Sequence, residues 1–404
     1  SGSCAVGEDA LLTVTSGTQN IAMGQSALRL LSTGNYNIAI GANTLAADGT
    51  FSSNTAIGQA VLNANTASNN TGVGFNALLD NTTGTQNVAI GAYTASNITT
   101  GSYNTVVGYS ALGAATTASN LTAFGFRALG NNTSGAANDA FGYNSLRLNT
   151  TGNYNVAMGN SALYSNTTGQ KSVAVGYYAL LNATTGGNNT ALGHQALDAC
   201  TDGHDNTAVG RDSLGDVTTG EKNTACGTAG ASISTGQNNL CLGYNAGSSA
   251  SPSGVITTGN NTICLGDNGI SNLFCADTSI SSSDSRDKTD VTSFNIGLDW
   301  IKALRPVTYR WDRRTWYGTD EEPFGTPDGS KKRTKLHIGF LAQEALEVEK
   351  ANGYGSSNDD SLIVNLTEDG MSYGMKYERL VPVLVNAIKE LSAEVEQLKS
   401  QLNN

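Results

Sequence analysis

A mainly β fold, with a parallel β-solenoid or β-roll shaft of 17-residue repeats and then an α+β domain ending in a coiled-coil helix, is what three features of this sequence predict. Glycine recurs at a near-constant step through most of the chain. Charged residues are scarce before residue 283 and abundant after it. Residues 377–402 carry a heptad pattern.

The glycines Gly7, Gly24, Gly41, Gly58, Gly74, Gly91, Gly108, Gly125, Gly142, Gly159, Gly176, Gly193, Gly210, Gly227, Gly243 and Gly266 set the period. Fourteen of the fifteen steps are 16 or 17 residues wide and the last is 23. Self-similarity at a fixed short period marks a solenoid. The long step contains residues 249–254, rich in serine with Pro252 and Gly254, and reads as a loop bulging from one rung. A second glycine column ten positions on, as at Gly34, Gly84 and Gly152, implies two corners separating two short β runs in each unit, since glycine supplies the positive φ of a tight corner. Sixteen rungs at the parallel-strand spacing give a shaft of roughly 75 Å.

Each column then has an expected role. The large apolar residue before each glycine (Met23, Ile40, Ile57, Val73, Ile90, Phe124, Phe141, Met158) is expected to point into a core. Leu28, Leu45, Leu62 and Leu78, four positions after the glycine, are expected to form the opposing wall. The small column two before it (Ala22, Ala39, Ala56, Gly72, Ala89) is expected to let three shafts pack closely, which predicts a homotrimer. Asn20, Asn37, Asn54, Asn70, Asn87 and Asn104 read as a corner ladder, because stacked amides hydrogen-bond where stacked charges repel.

Composition excludes several classes. Residues 1–282 hold 6 basic and 13 acidic residues and residues 283–404 hold 16 and 20, net charges of −7 and −4. Both parts repel a phosphate backbone, so no nucleic-acid partner is expected. No apolar run approaches the roughly 18–20 residues a membrane span requires. The cysteines Cys4, Cys200, Cys226, Cys241, Cys264 and Cys275 lack metal-ligand spacing, and His194, His204 and His337 do not cluster, so neither metal nor cofactor is expected. Buried thiols are the preferred reading, although Cys241 and Cys264 share a column in which a rung-to-rung disulfide is conceivable. The repeat carries no isolated acidic pair suited to glycoside hydrolysis.

The N-T-A-I-G unit of Asn54, Thr55, Ala56, Ile57 and Gly58 resembles the β-roll head repeats of trimeric bacterial adhesins, over residues 1–267. Gly7 already stands in a full rung, so the chain is expected to continue upstream toward a virion or fibre anchor. Residues 268–282 read as a linker, and residues 283–404 as a separate domain.

In that domain, Tyr377, Val381, Leu384, Ile388, Leu391, Val395, Leu398 and Leu402 alternate steps of 4 and 3, a coiled-coil seam. A helix packed inside its own domain would show a similar stripe. Upstream stand Ser283, Asp284, Ser285, Arg286, Asp287 and Lys288, then the segments L-R-P-V-T-Y at 304–309 and I-G-F-L-A-Q-E at 338–344. This ordered set resembles the intramolecular chaperone of phage tailspikes and fibres, the S74 peptidase family. Ser283, Asp284, Arg286 and Lys288 match its S-D-x-R-x-K motif, while Asp287 replaces the usual leucine before the lysine.

The resemblance implies one self-cleaving turnover, with Ser283 as nucleophile on the Ser282 carbonyl and Lys288 as general base. It also implies a virion tail fibre, assembled in the host cytoplasm, whose shaft attaches to a host glycan or protein receptor. The alternatives are a trimeric bacterial surface adhesin, or a fibre that keeps its chaperone uncleaved. Phe75, Tyr109, Phe126, Tyr143, Tyr177 and Tyr244 follow column glycines and form an intermittent aromatic stripe; packing between rungs or protomers is its plainer reading, receptor contact by stacking on sugar rings the functional one.

Overall fold

The structure, a computed structural model, describes residues 2–270, 285–318, 322, 324–366 and 372–403. Its contacts divide the chain into two compact units, residues 1–248 with 256–266, and residues 249–255 with 267–404.

The first unit is a solenoid. Sixteen three-residue strands, from β1 (Cys4–Val6) to β16 (Ile263–Leu265), pair in parallel and in chain order into one sheet. Ile38 lies opposite Thr55 and Ile40 opposite Ile57, so the register is the sequence period. The 23-residue step leaves the pairing intact, with Cys241 opposite Cys264. Each strand stops at its column glycine. At Gly41 φ is 132° and a Cβ would lie 2.2 Å from the Gly58 carbonyl oxygen, so no side chain fits the stacked column.

Three expectations are corrected here. The second glycine column, as at Gly34, Gly84 and Gly152, does not hold a positive φ; a Cβ at Gly34 would lie 1.8 Å from the Phe51 carbonyl oxygen, so the closeness of the next rung, not a left-handed corner, keeps it glycine. The second β run of each unit is a succession of turns, in which Asn43, Leu45 and Ser53 hold φ of 56°, 50° and 58°. The column assignments are also reversed. Neighbours along a strand point to opposite faces, and the inward position is the small one: Ala22, Ala39, Ala56 and Ala89 are fully buried, while Met23, Ile40, Ile57 and Ile90 are exposed. A methyl added at Gly72 in the small column would meet the Val61 and Leu62 side chains, which locates the opposing wall. So narrow a rung accommodates a methyl against a leucine, but not two large side chains.

The Asn ladder is present and buried. The Asn104 carboxamide accepts from the Leu121 N–H at 3.0 Å and donates to Asn87 Oδ1 and the Ala118 carbonyl, both at 3.0 Å. A second ladder escaped the sequence reading: Asn81 donates to Asn65 at 2.7 Å, Asn149 to Asn132 at 2.6 Å and Asn166 to Asn149 at 2.7 Å. Its column holds Ile98 and Ala183 where the amides stop, and there Oδ1 of Asn81 and of Asn166 is buried without a hydrogen-bond partner. No disulfide joins the described cysteines, of which Cys200, Cys241 and Cys264 are buried and Cys4 and Cys226 exposed. Burial raises the Cys241 pKa to about 12. Cys275 lies outside the described residues.

The second unit runs α1 (Leu298–Ala303), β17 (Val307–Tyr309), β18 (His337–Gly339), α2 (Ala342–Ala351), β19 (Val364–Leu366), β20 (Tyr373–Met375) and α3 (Leu380–Leu402). Its strands form two antiparallel pairs around a core of Trp300, Leu304, Ala345, Ile363, Val364, Leu380 and Val383. Glu390 on α3 accepts the Leu298 N–H at 2.6 Å, and Asn386 donates to the Phe294 carbonyl at 2.6 Å, fixing α1 against α3. The side of α3 facing its own unit is Leu380, Val383 and Ala387, whereas every residue of the heptad seam from Tyr377 to Leu402 is exposed.

Asn104→Ala should destabilise the shaft by about 3 kcal/mol, because the Leu121 N–H and the Ala118 carbonyl lose this partner inside the core. Denaturant unfolding of the variant beside the exposed-site control Thr83→Ala measures it, and equal midpoints would show that the ladder contributes nothing.

Candidate functional site

The two segments singled out after Lys288 in the sequence are brought together in the second unit. β17 from the first pairs with β18 at the start of the second, with Tyr309 opposite His337. Arg305 then grips Glu344 in the first turn of α2 with two bonds, Nε at 3.1 Å and Nη2 at 2.5 Å. The hydrogen bonds and charge of Arg305 hold the Glu344 carboxyl below its ordinary pKa. Tyr377, just before α3, accepts the Phe340 N–H at 3.1 Å on its hydroxyl.

Glu349, which the sequence reading passed over, anchors the loop before β19. Its fully buried carboxylate accepts from Ser361 Oγ at 2.8 Å and from the backbone N–H groups of Leu362, Ile363 and Val364 at 3.1, 2.7 and 2.9 Å. In sequence it is one acid among several in an ordinary amphipathic helix. Only the returning loop distinguishes it.

A cavity of about 570 Å³ opens among Tyr309, Trp311, Arg313, Phe340 and Tyr377. Arg313 stacks on Trp311 at 4.1 Å and bonds Asn268. Burial, reinforced by Arg333, lowers the Arg313 pKa from its ordinary value. Among the described residues no cluster of His, Cys, Asp or Glu suits a metal ion.

Of the cleavage motif, Ser282, Ser283 and Asp284 lie outside the described residues. Arg286 sits in the 3-10 turn Ser285–Asp287 and Lys288 follows it, both exposed. On the shaft, Phe75, Tyr109, Phe126 and Tyr143 belong to one run of ring contacts, completed by Tyr93, which stands one position off the column. Tyr177 stacks separately on Tyr178 and His194. Tyr244 is the most exposed of the six.

Residues 283–354 match the family model for the peptidase S74 domain, described as the chaperone of endosialidase. No curated protein and no solved structure matches the chain. A parallel β-solenoid followed by a domain similar to this family fits a tail fibre or tailspike that carries an intramolecular chaperone.

Glu349→Ala should cost the second unit about 3–5 kcal/mol, since three backbone N–H groups lose their buried acceptor. A thermal melt followed by the near-ultraviolet signal of Trp300 reports it, and an unshifted transition would show that the anchor is dispensable. Because the folded pKa of Glu344 is depressed, its contribution is present above the ordinary carboxylate pKa and is lost on acidification through the lower, folded value. The melting temperature should therefore fall below about pH 4, and less so in Glu344→Gln.

Proposed function

We propose that this chain is the distal part of a viral or phage tail fibre, which attaches the virion to a host surface, and that its second unit assembles three copies and then cuts itself away before Ser283. The observation that carries this reading is the union of a solenoid, whose outer sheet face bears an apolar column from end to end, with a segment matched to an intramolecular chaperone family.

The outer face supplies the assembly argument. Strands that are apolar on both sides are normally covered on both. Here the inner side is filled by alanines, while exposed members of the outer column from Val6 to Leu265 are 37–55 % accessible. With the apolar members of the column two positions before them (Ile21, Ile38, Val88, Val156, Val173 and Ile263), they present on the order of 1,000 Å² of apolar surface per chain, enough for a stable interface. A partner covering the whole stripe must be as long and as regular as the shaft, and a copy of this chain meets that condition. The exposed seam of α3 gives the same copies a place to meet first, in register.

Cleavage follows from assembly. A lysine serves as general base only when burial or a neighbouring cation favours its neutral form, and Lys288 is exposed in the single chain. Desolvation by neighbouring copies would activate it. Lys288 then takes the proton from Ser283 Oγ as that oxygen attacks the Ser282 carbonyl, the peptide bond gives way to an ester with Ser283's amine released, and water hydrolyses the ester to a carboxylate on Ser282. The shaft keeps residues 1–282. Asp287, placing a carboxylate beside the base, is expected to slow this step.

Ser283→Ala and Lys288→Ala should each give an uncut 404-residue trimer, whereas Ile388→Asp, which places a charge in the α3 seam, should give an uncut monomer. Denaturing gels and light scattering separate the three cases. Cleavage of Ser283→Ala at the wild-type rate would assign any processing to an external protease.

Cys226 lies in the outer column. In a Cys4→Ser background, mild oxidation of the trimer should therefore join Cys226 of two copies. A trimer with no such cross-link would show that the sheet face is not the contact.

A further inference from the structure

Five consecutive rungs carry one aromatic ring each in a continuous ladder: Phe75, Tyr93, Tyr109, Phe126 and Tyr143. Successive centroids lie 5.2, 5.8, 5.6 and 5.2 Å apart. The last three rings are nearly parallel, with interplanar angles of 9° and 8°. Parallel rings at these separations are slipped past one another like shingles, so part of each face stays open. Tyr109 and Tyr143 are accordingly 48 % and 51 % exposed.

The fold does not require the ladder. The same column holds Gln25, Ala42, Gln59 and Asn160 in other rungs, and Ala92 in the rung of Tyr93, and the strands pair in the same register throughout. Rings are thus concentrated where the backbone is indifferent to them. Arg127 lies over the Phe126 ring at 5.1 Å and adds a donor at the edge of the strip.

The spacing selects the occupant. An extended peptide presents every second side chain to one face, a step of roughly 6.5 Å that drifts out of phase with these rings. A linear polysaccharide of β-linked pyranoses presents one ring per residue and advances by about one ring length, the step of the ladder. The C–H groups on a pyranose face pack on the negative face of an aromatic ring. Acidic polymers are disfavoured by the net charge of −7 over residues 1–282.

We propose that the strip from Phe75 to Tyr143 is a track for a neutral, linear, β-linked polysaccharide lying along the shaft axis, one sugar per rung. This rests on the adhesive reading of the shaft and specifies its ligand class.

The intact full-length trimer, titrated with β-1,4-linked glucose and N-acetylglucosamine oligomers of two to six sugars, tests it by calorimetry. Affinity should rise with each added sugar until about five rings are engaged. Tyr109→Ala should weaken binding to the longest oligomer by about tenfold. Tyr109→Phe, which keeps the ring, and Tyr244→Ala, which lies off the ladder, should leave it unchanged. The alanine variant is expected to fold, since alanine occupies this column at Ala42 and Ala92. Affinity independent of length, or equal for Tyr109→Ala and wild type, overturns the track. A trimer that ignores every oligomer yet still sediments with bacterial cells overturns the track alone, and one that binds neither overturns the adhesive reading with it.

Discussion

Rung-to-rung hydrogen bonding is the constraint on which the shaft depends. In the rung that follows Gly41, the three residues forced into the left-handed region each donate their N–H to an adjacent rung: Asn43 to Gln25 and Ser53 to Asn35 on one side, Leu45 to Val61 on the other. That conformation costs a non-glycine residue roughly 1 kcal/mol or more, and the pattern of three repeats in each rung from Gly7 to Gly210. An isolated rung therefore cannot hold its own shape. Only a stack in register does, and each added rung stabilises the strained residues of the one before it.

A structure built this way is cooperative in growth and costly to begin. Successive rungs are nearly equivalent, so a chain pairing with its copies gains almost as much from a slipped register as from the right one. The second unit contrasts with this. Its contacts are individual: Arg305 with Glu344, Glu349 with the 361–364 backbone, Tyr377 with Phe340. Such contacts specify one arrangement, which is what the proposed role, setting a starting point for a repetitive neighbour, would need. Removing that domain after assembly would leave the shaft held by its unfolding barrier.

α3 illustrates how one helix serves two surfaces. Leu380, Val383 and Ala387 close the core of its own unit, and the seam from Tyr377 to Leu402 is left open. The stripe in the sequence is compatible with either use. What separates them is that α1 and the 294–298 segment occupy one side of the helix, through Asn386 and Glu390, while the seam residues from Val381 to Leu402 stay exposed and only Tyr377, before the helix, packs within the unit on Phe340.

The sequence by itself determined the periodicity, the parallel register, the Asn ladder, the positive-φ glycine that ends each strand and the extent of the last helix. Each of these is a one-dimensional property: identical residues one period apart must stack, and a heptad must lie on one side of a helix. The tertiary structure decided which way the columns point. Period-two alternation separates Ile40 from Ala39 but does not say which is inside; the width of the rung does, and it admits alanine against leucine. It likewise decided that Leu45 sits in a left-handed turn rather than a strand, that Tyr93 closes the aromatic ladder from off the column, and that Glu349 rather than any neighbouring acid is buried. Those are outcomes of what the chain meets on its return, after one turn of a solenoid or after a loop, and no local spacing records them.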